Sequence, residues 1–223
     1  MKIARCTPTR GLVHSRTEAA AETARVLAER DAHQWRNFWS HDLPIPDCFN
    51  DVTQRAWEWG ADAVWLLEED VAPASPALTF AAMMAQLQDG ADYVTTSYPI
   101  GTLEGGGASP LNYDGAARLV WSATGCILLR RRCFELVPRP WFCLRNRLVK
   151  PGVVTWDEGE DSPYGCDIGF TFALYQLGLK AAVVWDEVHH YRVRQSGNHE
   201  HNDGYHHIEP VRWAEGERHK WQC

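Results

Sequence analysis

Three consecutive carboxylates, Glu68, Glu69 and Asp70, directly follow a short apolar run at 63–67. Such a run, between a helix that ends in glycine and a loop that contains proline, predicts a central strand covered on both faces. If the strand geometry continues, Glu68 and Asp70 project to the same side. Close carboxylates repel each other unless a cation lies between them, and Mg²⁺ or Mn²⁺ takes oxygen ligands of this kind. The cluster therefore predicts a metal–diphosphate site, with a solvated acidic loop as the alternative.

The basic residues concentrate in the segment from Arg130 to Lys150, which contains seven of them and a single acid, Glu135. This segment carries +6, so the rest of the chain carries −13 within a total of −7. An acidic total argues against a protein that coats nucleic acid with its whole surface. The local excess predicts either contacts with phosphates or a solvated surface that balances acidic neighbours.

The elements that must position these residues alternate between strands and helices. Apolar runs predict strands at about 2–6, 63–67, 92–97, 119–121, 126–129 and 180–185. Apolar residues at helical spacing, with a capping box at Ser15 and Glu18, predict helices at about 15–30, 47–59, 75–90, 131–136 and 167–177. This alternation predicts an α/β domain with a largely parallel sheet, which binds ligands at the carboxyl ends of its strands. Residues 138–165 and the tail from 195 show no clear period, and we expect them to be irregular.

The composition fits one globular domain with reduced cysteines. The chain has 223 residues, of which 45% are hydrophobic, and no stretch reaches the roughly 18 apolar residues of a membrane helix. Its first residues run straight into a predicted strand, without the apolar segment of a signal peptide. Seven cysteines are scattered without a CxxC pair, which favours buried thiols over disulfides. We therefore expect a soluble, cytoplasmic protein.

The order of several short motifs resembles the GT-A class of glycosyltransferases over residues 2–192. LLEEDV at 66–71 is similar to the DxD-type element of that family, with Glu68 where the family usually has aspartate. The resemblance implies that Asp70 is the main metal ligand and that Glu68 contacts the metal or the donor ribose. TPTR at 7–10 is similar to the loop that holds the nucleotide base. The implied nucleotide-sugar-binding residues are Thr7, Pro8, Thr9, Arg10, Asn50, Glu68 and Glu69.

A later motif implies the catalytic base. Asp167, with Gly178 eleven residues further on, resembles the family's helix start that carries the proton-accepting carboxylate, although Cys166 stands where the family has glutamate. A helix dipole keeps a carboxylate at this position ionised and oriented. Asp167 can equally be a plain helix cap, and Glu160 and Asp161 are rival bases close by in the sequence.

Two further motifs imply a metal ligand and an acceptor site. VHH at 188–190 resembles the segment in which a histidine completes the family's metal site; its spacing favours His190, and His189 stays open. TGCILLRR at 124–131 resembles the strand beside the acceptor site. The implied acceptor-binding residues are Thr124, Gly125, Arg131, Arg132 and Trp141.

Taken as a whole, the resemblance implies a GT-A fold, in which helices flank a mostly parallel central sheet. It implies one catalytic domain at 1–194, with a nucleotide-sugar half at 1–100 and an acceptor half at 101–194. The tail at 195–223 is expected over or near the active site. The implied activity is transfer of a sugar from a UDP-sugar to a hydroxyl group with Mn²⁺ or Mg²⁺. Stereochemistry, sugar identity and oligomeric state stay open.

The acceptor is predicted from a narrower resemblance. PTRG, PIPDCFN and TGCILLRR resemble small phage-encoded, family-2-like glycosyltransferases, some of which modify hydroxymethylated pyrimidines in viral DNA. With the basic segment, this predicts hydroxymethylcytosine in DNA as acceptor, through phosphate contacts and a stacked, extruded base, in the host cytoplasm. Alternatives are a saccharide or lipid-linked acceptor, a metal-dependent nucleotidyltransferase or hydrolase, and a binding module without activity.

Overall fold

The computed structural model describes seven parts of the chain, namely residues 1–9, 11–41, 43–97, 111–150, 153–161, 165–191 and 205–207. Side chains are described for all of these except 145–150, 153–161 and 205–207. Arg10 and most of the tail at 195–223 therefore lie outside the described residues, and so do the side chains of Glu160 and Asp161.

The described residues form five helices and fourteen strands, numbered in chain order. The helices are α1 (Ser15–Arg30), α2 (Asp47–Glu58), α3 (Pro76–Gln88), α4 (Arg131–Leu136) and α5 (Gly165–Gln176). The strands of the main sheet are β1 (Lys2–Thr7), β3 (Gln34–Trp39), β4 (Ala63–Leu67), β6 (Tyr93–Thr96), β9 (Cys126–Arg130) and β12 (Ala181–Val184). The remaining strands are β2 (Leu12–His14), β5 (Val71–Pro73), β7 (Leu111–Tyr113), β8 (Leu119–Ser122), β10 (Arg145–Lys150), β11 (Val153–Asp161), β13 (Val188–His190) and β14 (Tyr205–His207).

The main sheet has six strands in the order β12-β6-β9-β4-β1-β3. Neighbouring strands run parallel except at β9, which is antiparallel to both β4 and β6. The predicted fold class, a mostly parallel central sheet flanked by helices, is therefore confirmed. The reversal of β9 places Cys126 beside Leu67, at the carboxyl end of β4, and Arg130 beside Ala63, at the amino end of β4.

Apolar layers cover both faces of the sheet, which explains why β4 is apolar without a break. Val64 and Leu66 belong to the core cluster that contains residues of α2, α4 and α5. Ala63, Trp65 and Leu67 belong to a second cluster that contains residues of α1 and α3. Successive side chains of a strand point to opposite faces, so every residue of β4 is buried.

Among the strands that the sequence did not predict, β3 and the β10–β11 pair are the longest. β3 alternates between exposed and half-buried residues over its first four positions, and Phe38 is its one buried residue, as expected for a strand at the edge of the sheet. β10 and β11 form an antiparallel hairpin within the segment 138–165, which we expected to be irregular. Their charged composition hides the strand pattern, because apolar alternation is the main sequence signal for a strand.

The predicted capping box at the start of α1 is wrong. The imidazole of His14 accepts a hydrogen bond from the backbone N–H of Arg16 and caps the helix. Glu18 instead accepts two hydrogen bonds from the guanidinium of Arg5, at 2.9 and 2.6 Å. Arg5 is fully buried in β1, and a buried cation without its partner would cost more than a missing cap.

Two expectations from composition can be compared with the structure. The six described cysteines, Cys6, Cys48, Cys126, Cys133, Cys143 and Cys166, are free and buried, as predicted. Among the helices that the structure describes, none has the length and apolar character needed to cross a bilayer.

Candidate active site

The three consecutive carboxylates lie in a tight turn between β4 and β5. The strand ends at Leu67, and the backbone N–H of Val71 donates to the carbonyl of Glu68 at 3.3 Å. The expectation that strand alternation continues through Asp70 is therefore wrong. The turn nevertheless brings the charges of Glu68 and Asp70 close enough to repel each other.

Glu68 has a pKa far above its ordinary value, through burial first and neighbouring carboxylates second. Its backbone N–H donates to the carbonyl of Gly125 at 2.9 Å, and its side chain accepts a hydrogen bond from the hydroxyl of Thr124 at 3.2 Å. Burial raises the pKa of Glu68 to about 8, and the negative charges of Asp167 and Asp70 add to the increase. The first half of the TGCILLRR motif thus lies beside the acidic turn.

Asp167 reaches the same place from the start of α5. The hydroxyl of Thr171 donates to the carbonyl of Ser122 at 2.6 Å and accepts from its N–H at 3.1 Å, which holds α5 against β8. Burial raises the pKa of Asp167 above its ordinary value, and backbone N–H groups of Ile168 and Thr124 offset part of the increase. The effect of burial on this pKa is therefore larger than the opposite effect of the helix start, which the sequence predicted to keep Asp167 ionised. The raised pKa is closer to that of an effective base at neutral pH.

Gly165 leaves the space that the Asp167 carboxylate occupies. A Cβ atom at position 165 would lie 2.8 Å from Oδ1 of Asp167, and the glycine has a φ of +85°. A larger residue there would be strained and would displace the carboxylate. The sequence does not single out Gly165, because its role depends on a contact with a residue two positions further on at a helix start.

The structure separates the two histidines that the sequence left open. β13 pairs antiparallel with β5, and the N–H of Tyr191 donates to the carbonyl of Asp70 at 2.6 Å. Nε2 of His190 lies 3.3 Å from Oδ2 of Asp70. His189 lies 3.6 Å from the exposed Glu187 instead. The geometry therefore favours His190 as the histidine of this site.

The predicted base-binding loop is tied to the acidic turn. The Thr9 hydroxyl lies 2.5 Å from Oε2 of Glu69 and 3.0 Å from the carbonyl of Leu12, and the N–H of His14 donates to the carbonyl of Glu69 at 2.8 Å. Glu69 is buried, so its carboxylate holds this loop in place. Thr7 and Pro8 are also buried at the carboxyl end of β1.

Asn50 makes its hydrogen bonds within the protein, and its predicted contact with the donor stays a prediction. Its side-chain NH₂ donates to the carbonyl of Phe142 at 2.7 Å and lies 3.4 Å from the carbonyl of Pro46. Its side-chain oxygen accepts from the N–H of Phe142 at 3.1 Å. Asn50 is buried, and these bonds join α2 to the segment before β10.

Arg131, Arg132 and Trp141 do not lie where an acceptor site beside the acidic turn requires them. Arg131 and Arg132 follow the far end of β9, four residues and about 13 Å along the sheet from Cys126. Trp141 is buried, and its indole N–H donates to the carbonyl of Phe134 at 2.9 Å. The sequence could not reveal this, because β9 was not predicted to run antiparallel.

The side chains at the acidic turn fit a hard divalent cation that takes its other ligands from phosphate and water. Asp70 offers a carboxylate and His190 an imidazole, with the carboxylate of the half-buried Glu68 nearby. Within the described residues, no three histidine, cysteine, aspartate or glutamate side chains group tightly enough to hold a metal ion. Mg²⁺ commonly binds in this way, through one or two carboxylates with phosphate oxygens and water.

Comparisons with known proteins agree with the fold. No protein-family model and no curated protein matches the chain. The crystal structure of A197 from STIV matches with a TM-score of 0.57 and 16% identity, over 86% of this chain and 87% of that chain. At this identity the match shows the fold alone, an α/β arrangement in agreement with the mostly parallel sheet described above.

Two further solved structures match at lower similarity. One is a glycosyltransferase involved in the glycosylation of the major capsid of PBCV-1, with a TM-score of 0.37 and 10% identity over 63% of this chain and 70% of that chain. The other is CMP:2-keto-3-deoxy-manno-octonic acid synthetase complexed with CTP, with a TM-score of 0.44 and 10% identity over 84% and 89%. Scores this low support no argument about this chain.

Proposed function

We propose that this chain is a metal-dependent glycosyltransferase that moves a sugar from a UDP-sugar to a hydroxyl group. The observation that carries the proposal is the convergence of Glu68, Asp70, Asp167 and His190, which come from three separate parts of the chain. Buried carboxylates that repel one another are costly unless they serve a ligand. A cation with a diphosphate is the ligand that suits them.

Asp70 and His190 would hold Mn²⁺ or Mg²⁺, with the Glu68 carboxylate beside them. When bound, the ion supplies positive charge that neutralises the donor diphosphate and makes the nucleotide a better leaving group. Glu69 and Thr9 would keep the nucleotide loop against this site, because their side chains already join the two segments.

Asp167 would orient the acceptor hydroxyl and take its proton as the sugar is transferred. Its pKa lies above the ordinary aspartate value, so the carboxylate holds a proton more readily than an exposed aspartate does. Thr124 supports it, because the Thr124 N–H bonds to Asp167 while the Thr124 hydroxyl bonds to Glu68. Direct attack of the acceptor would invert the configuration at the sugar carbon.

For the acceptor, we propose a hydroxymethylated pyrimidine in DNA, with a saccharide as the alternative. DNA as acceptor gains no support from Arg131 and Arg132, which follow the end of β9 far from the acidic turn, or from Trp141, which is buried in the core. The support that is left is β10, which contains Arg145, Arg147 and Lys150 and packs against α5. Cationic residues near the helix of Asp167 suit a phosphate backbone.

The test is an incubation of the full chain with Mn²⁺, a panel of UDP-sugars and three acceptors. The acceptors are hydroxymethylcytosine DNA, ordinary DNA and a mixture of saccharides, and mass spectrometry measures the added sugar and the released nucleotide. We expect transfer to hydroxymethylcytosine DNA, with UDP as the second product. Sugar added only to the saccharides would keep the transferase and remove the DNA acceptor.

Asp167→Asn is the variant for this test, and Asp89→Asn after the end of α3 is its matched control. We expect the first to abolish transfer and the second to keep it. Release of pyrophosphate with joined nucleotides would indicate a nucleotidyltransferase, and release of nucleotide or phosphate without sugar transfer would indicate a hydrolase. Either result, or binding without turnover, would contradict the glycosyltransferase.

A further inference from the structure

β12 leaves one side of the main sheet open. It pairs with β6 on one side, and in the described parts of the chain no strand pairs with its other side. All four of its residues are only half-buried. An open edge of this kind presents backbone N–H and C=O groups that can pair with another strand.

A groove with a cavity volume of about 840 Å³ runs along this edge. It lies between β12, the end of α5 and the β7–β8 hairpin, and its lining includes Tyr113, Arg118, Tyr175, Gly178, Ala181 and Trp185. Trp185 is 71% exposed at the end of the strand. An indole left in water beside such a groove is typical of an interface residue, because tryptophan gains much by burial.

The sequence along this edge is complementary to itself. When two copies of KAAVVWD at 180–186 are aligned antiparallel about Val183, Lys180 stands opposite Asp186 and Ala181 stands opposite Trp185. Directly opposed residues of antiparallel strands share a face, so each indole meets a small alanine side chain. The alignment therefore joins two pairs of opposite charge and two large–small apolar pairs.

We propose that this chain forms a two-fold symmetric dimer through β12. The two β12 strands pair antiparallel about Val183, and Trp185 of each copy fills the groove beside the partner's Ala181. Such an interface uses the same patch on both copies, as closed dimers do, and it continues the main sheet across the two subunits. This proposal does not depend on the catalytic activity.

Sedimentation velocity of the full chain, from about 1 to about 100 µM, tests the dimer. We expect a monomer–dimer equilibrium whose Kd rises at least about tenfold in Trp185→Ala. Because Trp185 is mostly exposed, the variant should keep the thermal midpoint measured at monomer concentrations. A wild-type protein that stays monomeric at every concentration would overturn the proposal, even if the groove were found to bind an extended peptide instead. A dimer that Trp185→Ala leaves unchanged would also overturn it.

Charge reversal and cross-linking test the register. Lys180→Glu should weaken the dimer, and the double variant Lys180→Glu with Asp186→Lys should restore it. Circular dichroism should confirm that the double variant folds, because Asp186 also accepts a hydrogen bond from Thr79. In a Cys223→Ser background, Val183→Cys should link the two copies by a disulfide at this position under mild oxidation, and Val184→Cys should not. Cross-linking of both variants alike, or of neither, would overturn the alignment about Val183.

Discussion

The two ends of the β4–β9 pair carry opposite charges and satisfy them in opposite ways. At the end near Leu67, burial and the negative charges of Asp167 and Asp70 raise the pKa of Glu68 to about 8. At the end near Ala63, Arg131 lies 3.6 Å above the ring of Trp57 and 3.3 Å from Glu135. Arg131 thus contacts an aromatic ring and an acid of the fold, whereas the carboxylates at the other end lie close to one another.

This difference distinguishes a candidate site from a structural cluster better than charge density does. Arg130 donates to the carbonyl of Leu87, near the end of α3, and to that of Ala91, in the loop that follows. Arg132 lies 3.8 Å from Asp92. A cation whose donors already meet carbonyls and carboxylates stabilises the protein and has little left for a ligand. Carboxylates that repel one another at the other end of the strands are a charge that a bound cation can neutralise.

Removing one charge at each end of the β4–β9 pair tests the comparison most directly. Asp70→Asn should lower the rate of sugar transfer by roughly 10²–10³-fold, because it removes a charged ligand from the proposed cation. Arg132→Gln at the other edge should change the rate by less than about twofold. Initial rates at saturating donor would measure both. Equal losses in the two variants would contradict the assignment of function to one edge.

The pH dependence of stability should differ between the wild type and Glu68→Gln. The pKa of Glu68 is raised from 4.5 to about 8, so the folded state keeps a proton that the unfolded state releases between these values. The stabilisation is complete below about pH 4.5 and is lost as the pH rises to about 8. In EDTA, the free energy of unfolding should therefore fall by a few kcal/mol over this range, and less in Glu68→Gln.

Chemical denaturation at pH 5.5 and pH 8.5 would measure this difference for both proteins. Mn²⁺ added at pH 8.5 should restore stability to the wild type, because a bound cation favours the ionised carboxylates. If wild type and Glu68→Gln showed the same pH dependence, the buried carboxylates would not be in conflict at this edge.

Gly165 at the start of α5 and Gly178 after its end separate backbone strain from displacement of Asp167. Gly165 and Gly178 both have positive φ, but only a Cβ at Gly165 would meet the carboxylate. Alanine at either position should cost about 1–2 kcal/mol of stability, measured by denaturation. Only Gly165→Ala should also lower the transfer rate, by about tenfold. Loss of activity in Gly178→Ala to the same extent would show that strain alone explains the effect.

The smallest effect is expected from Arg131→Met. It removes the contact of the guanidinium with Trp57 and the ion pair with Glu135, which should lower the free energy of unfolding by about 1 kcal/mol. Transfer to hydroxymethylcytosine DNA should be unchanged. A selective increase in KM for DNA would return Arg131 to the acceptor site and weaken the contrast between the two edges.

Much of the fold could be predicted because its signals are local. The apolar run at 63–67 and the helix at 131–136 have the bounds that the sequence suggested. The hairpin β10–β11 could not be predicted, because charged residues mask its alternation. Within the site, Glu68, Asp70 and Asp167 were found from their motifs, whereas Gly165 and the link between Thr9 and Glu69 depend on contacts across segments.

The sequence by itself determined the two-sided burial of β4 and the presence of acidic residues where that strand ends, because both depend on residue types in a row. Only the tertiary structure decided which charges meet. The antiparallel direction of β9 carries Thr124 to the acidic turn and Arg131 away from it. Strand direction depends on how distant segments pair, and a chain read residue by residue contains no direct signal for it.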